Sequence, residues 1–195
     1  MSKKFTTTTA DYLPWSDSMN LVRNLYDDNR TVISLYIACS CFFGLRISDT
    51  LSLKWVDLLS KQEFEIIEKK TQKRRIIKIN RQLQLHVENC YNRIKPVSLE
   101  EPLFISRKGQ VFTIQRINMV LKELKQQYNL KIKNFSSHSL RKSFGREVFE
   151  RSGQNAEMSL VRLSSLFNHS SVAITRKYLG ISQKELLATY DILSF

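Results

Sequence analysis

Four short segments of this chain carry polar groups where an amphipathic pattern gives no reason for them. In Phe43-Gly44-Leu45-Arg46-Ile47-Ser48-Asp49 an arginine follows directly on the most apolar run of the sequence. Lys69-Lys70-Thr71-Gln72-Lys73 is a dense basic patch between two β-branched runs. His138-Ser139-Leu140-Arg141 sets two polar groups at i and i+3, on one side of a helix start. The fourth segment is Leu166-Phe167-Asn168-His169-Ser170-Ser171, followed by Arg176-Lys177-Tyr178. Guanidinium groups are planar forks that pair with the oxygens of an anion, imidazoles exchange protons near neutral pH, and an activated phenol is a nucleophile. Each segment also has an ordinary reading. Arg46 could pair with Asp49 one turn on, and residues 69–75 could be a solvated turn. His138 could be a satisfied capping residue and Tyr178 a half-buried aromatic. It is the occurrence of all four in one order that asks for a common explanation.

The charge balance narrows the class of partner. There are 31 Lys and Arg against 18 Asp and Glu, a net charge of +13. Such an excess suits a polyanion, either nucleic acid or an anionic membrane surface, although a soluble protein can be this basic with neither. The run from Met1 to Ala10 is polar and lacks the apolar core of a signal peptide. Val32 to Phe43, the most apolar stretch, is far too short for a membrane span. Cys39, Cys41 and Cys90 are odd in number, lack zinc spacing and read as buried reduced thiols of a cytosolic protein. No acidic cluster or His-rich motif suggests a metal, and no cofactor is expected.

The elements that must position these residues are mostly helices. Apolar spacing predicts helices over residues 16–26 and 31–43, the second apolar nearly all round, with Gly44 closing it and a new start over 45–53. The period then changes. Phe64-Glu65-Ile66-Ile67 and Ile76-Ile77-Lys78-Ile79 flank the basic patch as a hairpin, with Trp55-Val56-Asp57 as a possible third strand. Helical spacing returns over 82–94, and again after Thr113, which stands as an N-cap. Further helices are expected over about 139–151, 156–167, 171–178 and 182–192, the last opened by a Ser182-Gln183-Lys184-Glu185 capping box. The expectation is one mainly α domain with a small antiparallel β-sheet (α+β), with 1–12 as a lead-in.

In this order the segments resemble the tyrosine recombinase (phage integrase) family, from about Thr31 to Gly180. That family has an Arg in a Gly-Leu-Arg-Ile-Ser-Glu-like segment and a Lys on a β-hairpin. It then has His-x-x-Arg, and a His or Trp followed nine residues on by a Tyr. Here those positions are Arg46, Lys70, His138 with Arg141, His169 and Tyr178. The resemblance implies that family's catalytic-domain fold and an enzyme that breaks and rejoins double-stranded DNA without metal or nucleotide. Tyr178 would attack a backbone phosphate, forming a 3′-phosphotyrosine and releasing a 5′ hydroxyl. Arg46 and Arg141 would clamp the non-bridging oxygens, and His169 would add a hydrogen bond. His138 would accept the proton of a phenol whose ordinary pKa is about 10, and Lys70 would protonate the leaving oxygen.

Some positions depart from the pattern. Asn168 stands where Gly is usual, and Asp49 where Glu is more common. Lys69 precedes Lys70, so which lysine is the acid is open, the Lys-Thr pairing favouring Lys70. Tyr190 lacks the spacing from His169. Lys73, Arg74, Arg107, Lys142, Arg146, Arg176 and Lys177 are candidate DNA-phosphate contacts. The family's separate N-terminal DNA-clamping domain is not expected within these residues, which fits either a piece of a longer integrase or a naturally short recombinase. The resemblance further implies a cytoplasmic, nucleoid-associated protein that is a monomer alone and a homotetramer on synapsed DNA, with accessory DNA-bending proteins as possible partners. Residues 182–195 would dock on a neighbouring protomer or fold back on their own core. The rival readings are a type IB topoisomerase that relaxes DNA, and a catalytically silent DNA-binding accessory protein.

Overall fold

A computed structural model describes residues 10–106 and 108–181. The chain divides after Phe144 into two compact units. The first holds helices α1 (Trp15–Asp27), α2 (Thr31–Phe43), α3 (Ile47–Thr50), α4 (Trp55–Leu58), α5 (Arg81–Ile94) and α6 (Ile114–Gln127). It also holds strands β1 (Glu63–Ile67) and β2 (Arg74–Lys78). Helix α7 (Ser137–Arg151) contains the dividing point, and the second unit continues with a short 3-10 turn (Gly153–Asn155), α8 (Ala156–Phe167) and α9 (Val172–Leu179). The mainly helical reading with one small antiparallel sheet holds. No helix of the described residues is long and apolar enough to cross a membrane.

Helix α2 is the centre of the first unit because it has no polar side to turn outward. Leu35, Ile37, Cys39 and Cys41 are fully buried, and α1 and α5 pack on it. Gly44 ends the helix in the left-handed region (φ 56°), where a side chain would be strained. A Cβ there would also lie 2.3 Å from the Phe144 ring of α7, so the turn after α2 and the middle of α7 meet at a glycine. The three cysteines are free and buried, as the sequence suggests.

The hairpin pairs Phe64 with Ile77 on its inner face and leaves Ile67 and Ile76 exposed on the other. Trp55-Val56-Asp57 is not a third strand. The Asp57 carboxylate accepts the Lys54 backbone N–H (2.8 Å), which caps a helical turn, and Trp55 is buried by it. Only Lys54 keeps strand character there, through a bridge to Pro102. Thr113 is an N-cap, its hydroxyl accepting from Arg116 N at 3.1 Å. In the second unit Leu160, Leu163, Phe167 and Leu179 form the buried core. Residues 1–9 of the predicted lead-in over 1–12, and the tail over 182–195, capping box and Tyr190 included, lie outside the described residues.

Candidate active site

The first unit gathers four of the six predicted catalytic residues around the turn that follows α2. Arg46 is the N-cap residue of α3, and its Nη1 donates to Glu68 Oε2 at 2.8 Å. The pairing is with Glu68, not with Asp49. Asp49 is fully buried, and its Oδ1 accepts from the Lys69 backbone N–H at 2.9 Å. Arg141 is 4% exposed and donates from Nη1 to the Gly44 carbonyl at 2.5 Å, two residues from Arg46. A second arginine thus reaches the same turn from α7.

Helix α7 is set by its first turn. Ser137 N donates to Asn118 Oδ1 (3.0 Å), and the buried Ser139 hydroxyl donates to the Asn134 carbonyl (3.1 Å). One turn on, Ser143 Oγ donates to the Leu13 carbonyl and accepts from Leu13 N. His138 stays exposed on this turn. Its pKa is held below the ordinary 6.5, first by partial desolvation of the ring and then by Arg141, Lys142, Arg46 and Lys70. Those four cations, from the α2–α3 turn, the hairpin tip and α7, therefore share a neighbourhood.

Lys70 is exposed on the turn between β1 and β2. That turn is no loose solvated loop. Glu68 N donates to the Lys73 carbonyl (3.0 Å) and Gln72 N to the Glu68 carbonyl (2.8 Å), closing it. Glu68 is 3% exposed. Burial pushes its carboxyl up, but hydrogen bonds from Thr71 and Arg46 and the charges of Arg46 and Arg75 bring it below its ordinary value. Lys69 is exposed as well, with its backbone N–H committed to Asp49.

The second unit brings His169 and Tyr178 together. Their ring centroids are 5.1 Å apart, edge to face, with Phe167 5.5 Å from each. Between α8 and α9 the chain turns at Asn168 with φ 54°, a left-handed residue that Asn tolerates better than most. That is why Asn can replace the usual Gly. Ser171 caps α9, accepting from Ile174 N at 3.3 Å. The hydroxyl of Thr175, fully buried, lies 2.9 Å from His169 Nδ1, and the Ser164 hydroxyl donates to the His169 carbonyl (3.3 Å). Sequence reasoning passed over Thr175, Glu68 and Arg75.

The expected DNA contacts separate by burial. Lys73, Arg74 and Lys177 are exposed. Arg74 pairs across the hairpin with Glu65 (2.7 Å), and Arg176 pairs with Glu157. Lys142 and Arg146 are only 8% and 7% exposed. Lys142 Nζ donates to the Ala10 carbonyl (2.5 Å), and Arg146 pairs with Glu150 one turn on (2.9 Å). These two cations are engaged in internal ties. Arg107 lies outside the described residues.

The model of the phage integrase family matches residues 19–185. The chain belongs to that family. Among its relatives is the probable integrase/recombinase YoeC of Bacillus subtilis, 33% identical over 151 residues that make up 76% of this chain and 77% of that protein. Tyrosine recombinase XerC of Rickettsia prowazekii is 31% identical over 84% of this chain, but the match spans only 50% of its own length. Among solved structures, XerA recombinase aligns over 100% of this chain and 68% of its own, with TM-score 0.74 and 18% identity. The XerH site-specific recombinase bound to palindromic difH substrate aligns over 98% of this chain and 55% of its own, with TM-score 0.71 and 19% identity. The fold is that of the tyrosine recombinase catalytic domain, and the chain spans about half the length of several of these family members.

Proposed function

We propose that this phage-integrase-family domain cleaves and rejoins double-stranded DNA in site-specific recombination, with Tyr178 as nucleophile. The observation that carries the reading is the α2–α3 turn, where Arg46 begins α3 and Arg141 reaches the Gly44 carbonyl. Two guanidinium forks set so close suit the paired oxygens of one phosphate and the charge that its pentacoordinate transition state gains.

In the reaction the Tyr178 oxygen forms a bond to phosphorus as the bond to the 5′ oxygen breaks. The phenolic proton goes to His138, kept neutral by partial desolvation of its ring and by the cations around it, and Lys70 gives a proton to the departing 5′ oxygen. His169 donates from Nε2 to a non-bridging oxygen, provided that Nδ1 is the acceptor of its contact to Thr175. The distances favour this, since the Thr175 hydroxyl is 2.9 Å from His169 Nδ1 and 3.4 Å from the Ser171 carbonyl. The phosphotyrosine conserves the bond energy, so a second 5′ hydroxyl reverses the step without consuming a nucleotide.

The exposed Lys73, Arg74 and Lys177, and Arg176 with Arg107, would hold neighbouring phosphates without reading sequence. Four protomers on two synapsed DNA sites, in the cytoplasm on nucleoid DNA, complete the reading. A nicked suicide DNA substrate tests it. The wild-type chain should give a covalent protein–DNA adduct that Tyr178→Phe abolishes, and an adduct that survives the substitution refutes the assignment. Relaxation of supercoiled DNA without exchange between two sites would point to a topoisomerase instead.

A further inference from the structure

We propose that Glu68 is a positioning residue for Arg46, fixing the plane of its guanidinium and tying it to the turn that carries Lys70. The inference rests on the recombinase reading above and adds a residue outside the motif that led to it. Glu68 is 3% exposed, and a carboxylate so placed needs donors. Its Oε2 accepts from Arg46 Nη1 at 2.8 Å and from Thr71 Oγ1 at 2.7 Å. Its Oε1 accepts from Arg75 Nη1 at 3.4 Å, while Arg75 Nη2 donates to the Phe43 carbonyl at 3.4 Å. One carboxylate therefore joins three pieces of chain: the turn after α2, the last position before the hairpin tip, and the start of the returning strand.

The backbone repeats the linkage. Lys69 N donates to the buried Asp49 carboxylate (2.9 Å), so residues 68 and 69 are both anchored to the segment 46–49. Lys70 follows directly, and Thr71, one residue on, is again held by Glu68. An arginine held by a rigid carboxylate meets a phosphate already oriented, and a transition state gains most from donors that need no rearrangement. Were Glu68 a competitor that occupies Arg46 in place of phosphate, its removal would speed the reaction.

The experiment compares adduct formation on two nicked suicide substrates, one with an ordinary scissile phosphate and one with a methylphosphonate there. The methyl group removes the charge that Arg46 balances, so a fault confined to that arginine matters less on the second substrate. Glu68→Gln keeps the size and hydrogen-bonding capacity and loses the charge. The expected result is a loss of roughly 10–100-fold on the phosphodiester and a clearly smaller loss on the methylphosphonate. Glu68→Asp should fall between it and the wild type, and carries the same comparison if Glu68→Gln does not fold. Equal losses on both substrates, no loss on either, or a gain in rate overturns the role of Glu68. A wild-type chain that gives no Tyr178-dependent adduct refutes the recombinase reading instead.

Discussion

The surroundings of His138 disfavour its charged form. Partial desolvation and then four cations favour the neutral ring, so its folded pKa lies below 6.5, its ordinary value. A base must be neutral to act, so the acid limb of the cleavage rate should fall below pH 6.5 in a pH series on the suicide substrate. The stability that this neutral ring contributes has the same sign: complete above 6.5 and lost as pH falls through the folded value. At His169 the control is a hydroxyl. Thr175→Val, close in shape, should slow adduct formation about 10–100-fold while Thr175→Ser keeps most of the rate. Equal effects of the two would mean that Thr175 only packs. The motif residues were legible because their types are unusual where they stand. Glu68 and Thr175 were not, because a lone carboxylate beside a basic run and a threonine within a helix look like surface. In hindsight Glu68 is the last acidic residue before Glu88, which placed it against the cationic tip.

Among the elements, α2 and α8 begin and end where the apolar pattern says, because both are read from buried faces with clear stops at Gly44 and Asn168. Trp55-Val56-Asp57 misled because its bulky side chains favour strands, while one Asp side chain capping Lys54 decides for a helical turn. The meeting of α7 with the turn after α2 was beyond the sequence, since nothing local says that Phe144 lies over Gly44. It gives a sharp prediction. Gly44→Ala adds a Cβ 2.3 Å from the Phe144 ring at a residue with φ 56°. Thermal or denaturant unfolding should show a loss of about 2–4 kcal/mol from overpacking and strain together. At α9 the cost is milder. Ser171→Ala removes the N-cap of the helix that bears Tyr178 and should cost about 1 kcal/mol in the same assay.

For the whole molecule, a net charge of +13 states that a polyanion is welcome but not which cations meet it. Burial makes that distinction, and composition cannot see it. DNA affinity should fall steeply with salt, and loss of the exposed Lys73 should lower the slope of log affinity against log salt by about one. Lys142→Met should leave that slope unchanged, because its ammonium lies against the Ala10 carbonyl at 2.5 Å. A reduced slope for Lys142→Met would return that lysine to the DNA surface. The same tie bears on where the chain can be cut. Ala10 and Leu13 supply the carbonyls that hold Lys142 and Ser143, the two residues that follow Arg141. A truncation beginning after Leu13 would take the Ala10 and Leu13 carbonyls away from Lys142 and Ser143, next to Arg141 in the chain. What precedes the first helix thus works as a splint for α7, and any shortened or fused version should keep it from Ala10 onward.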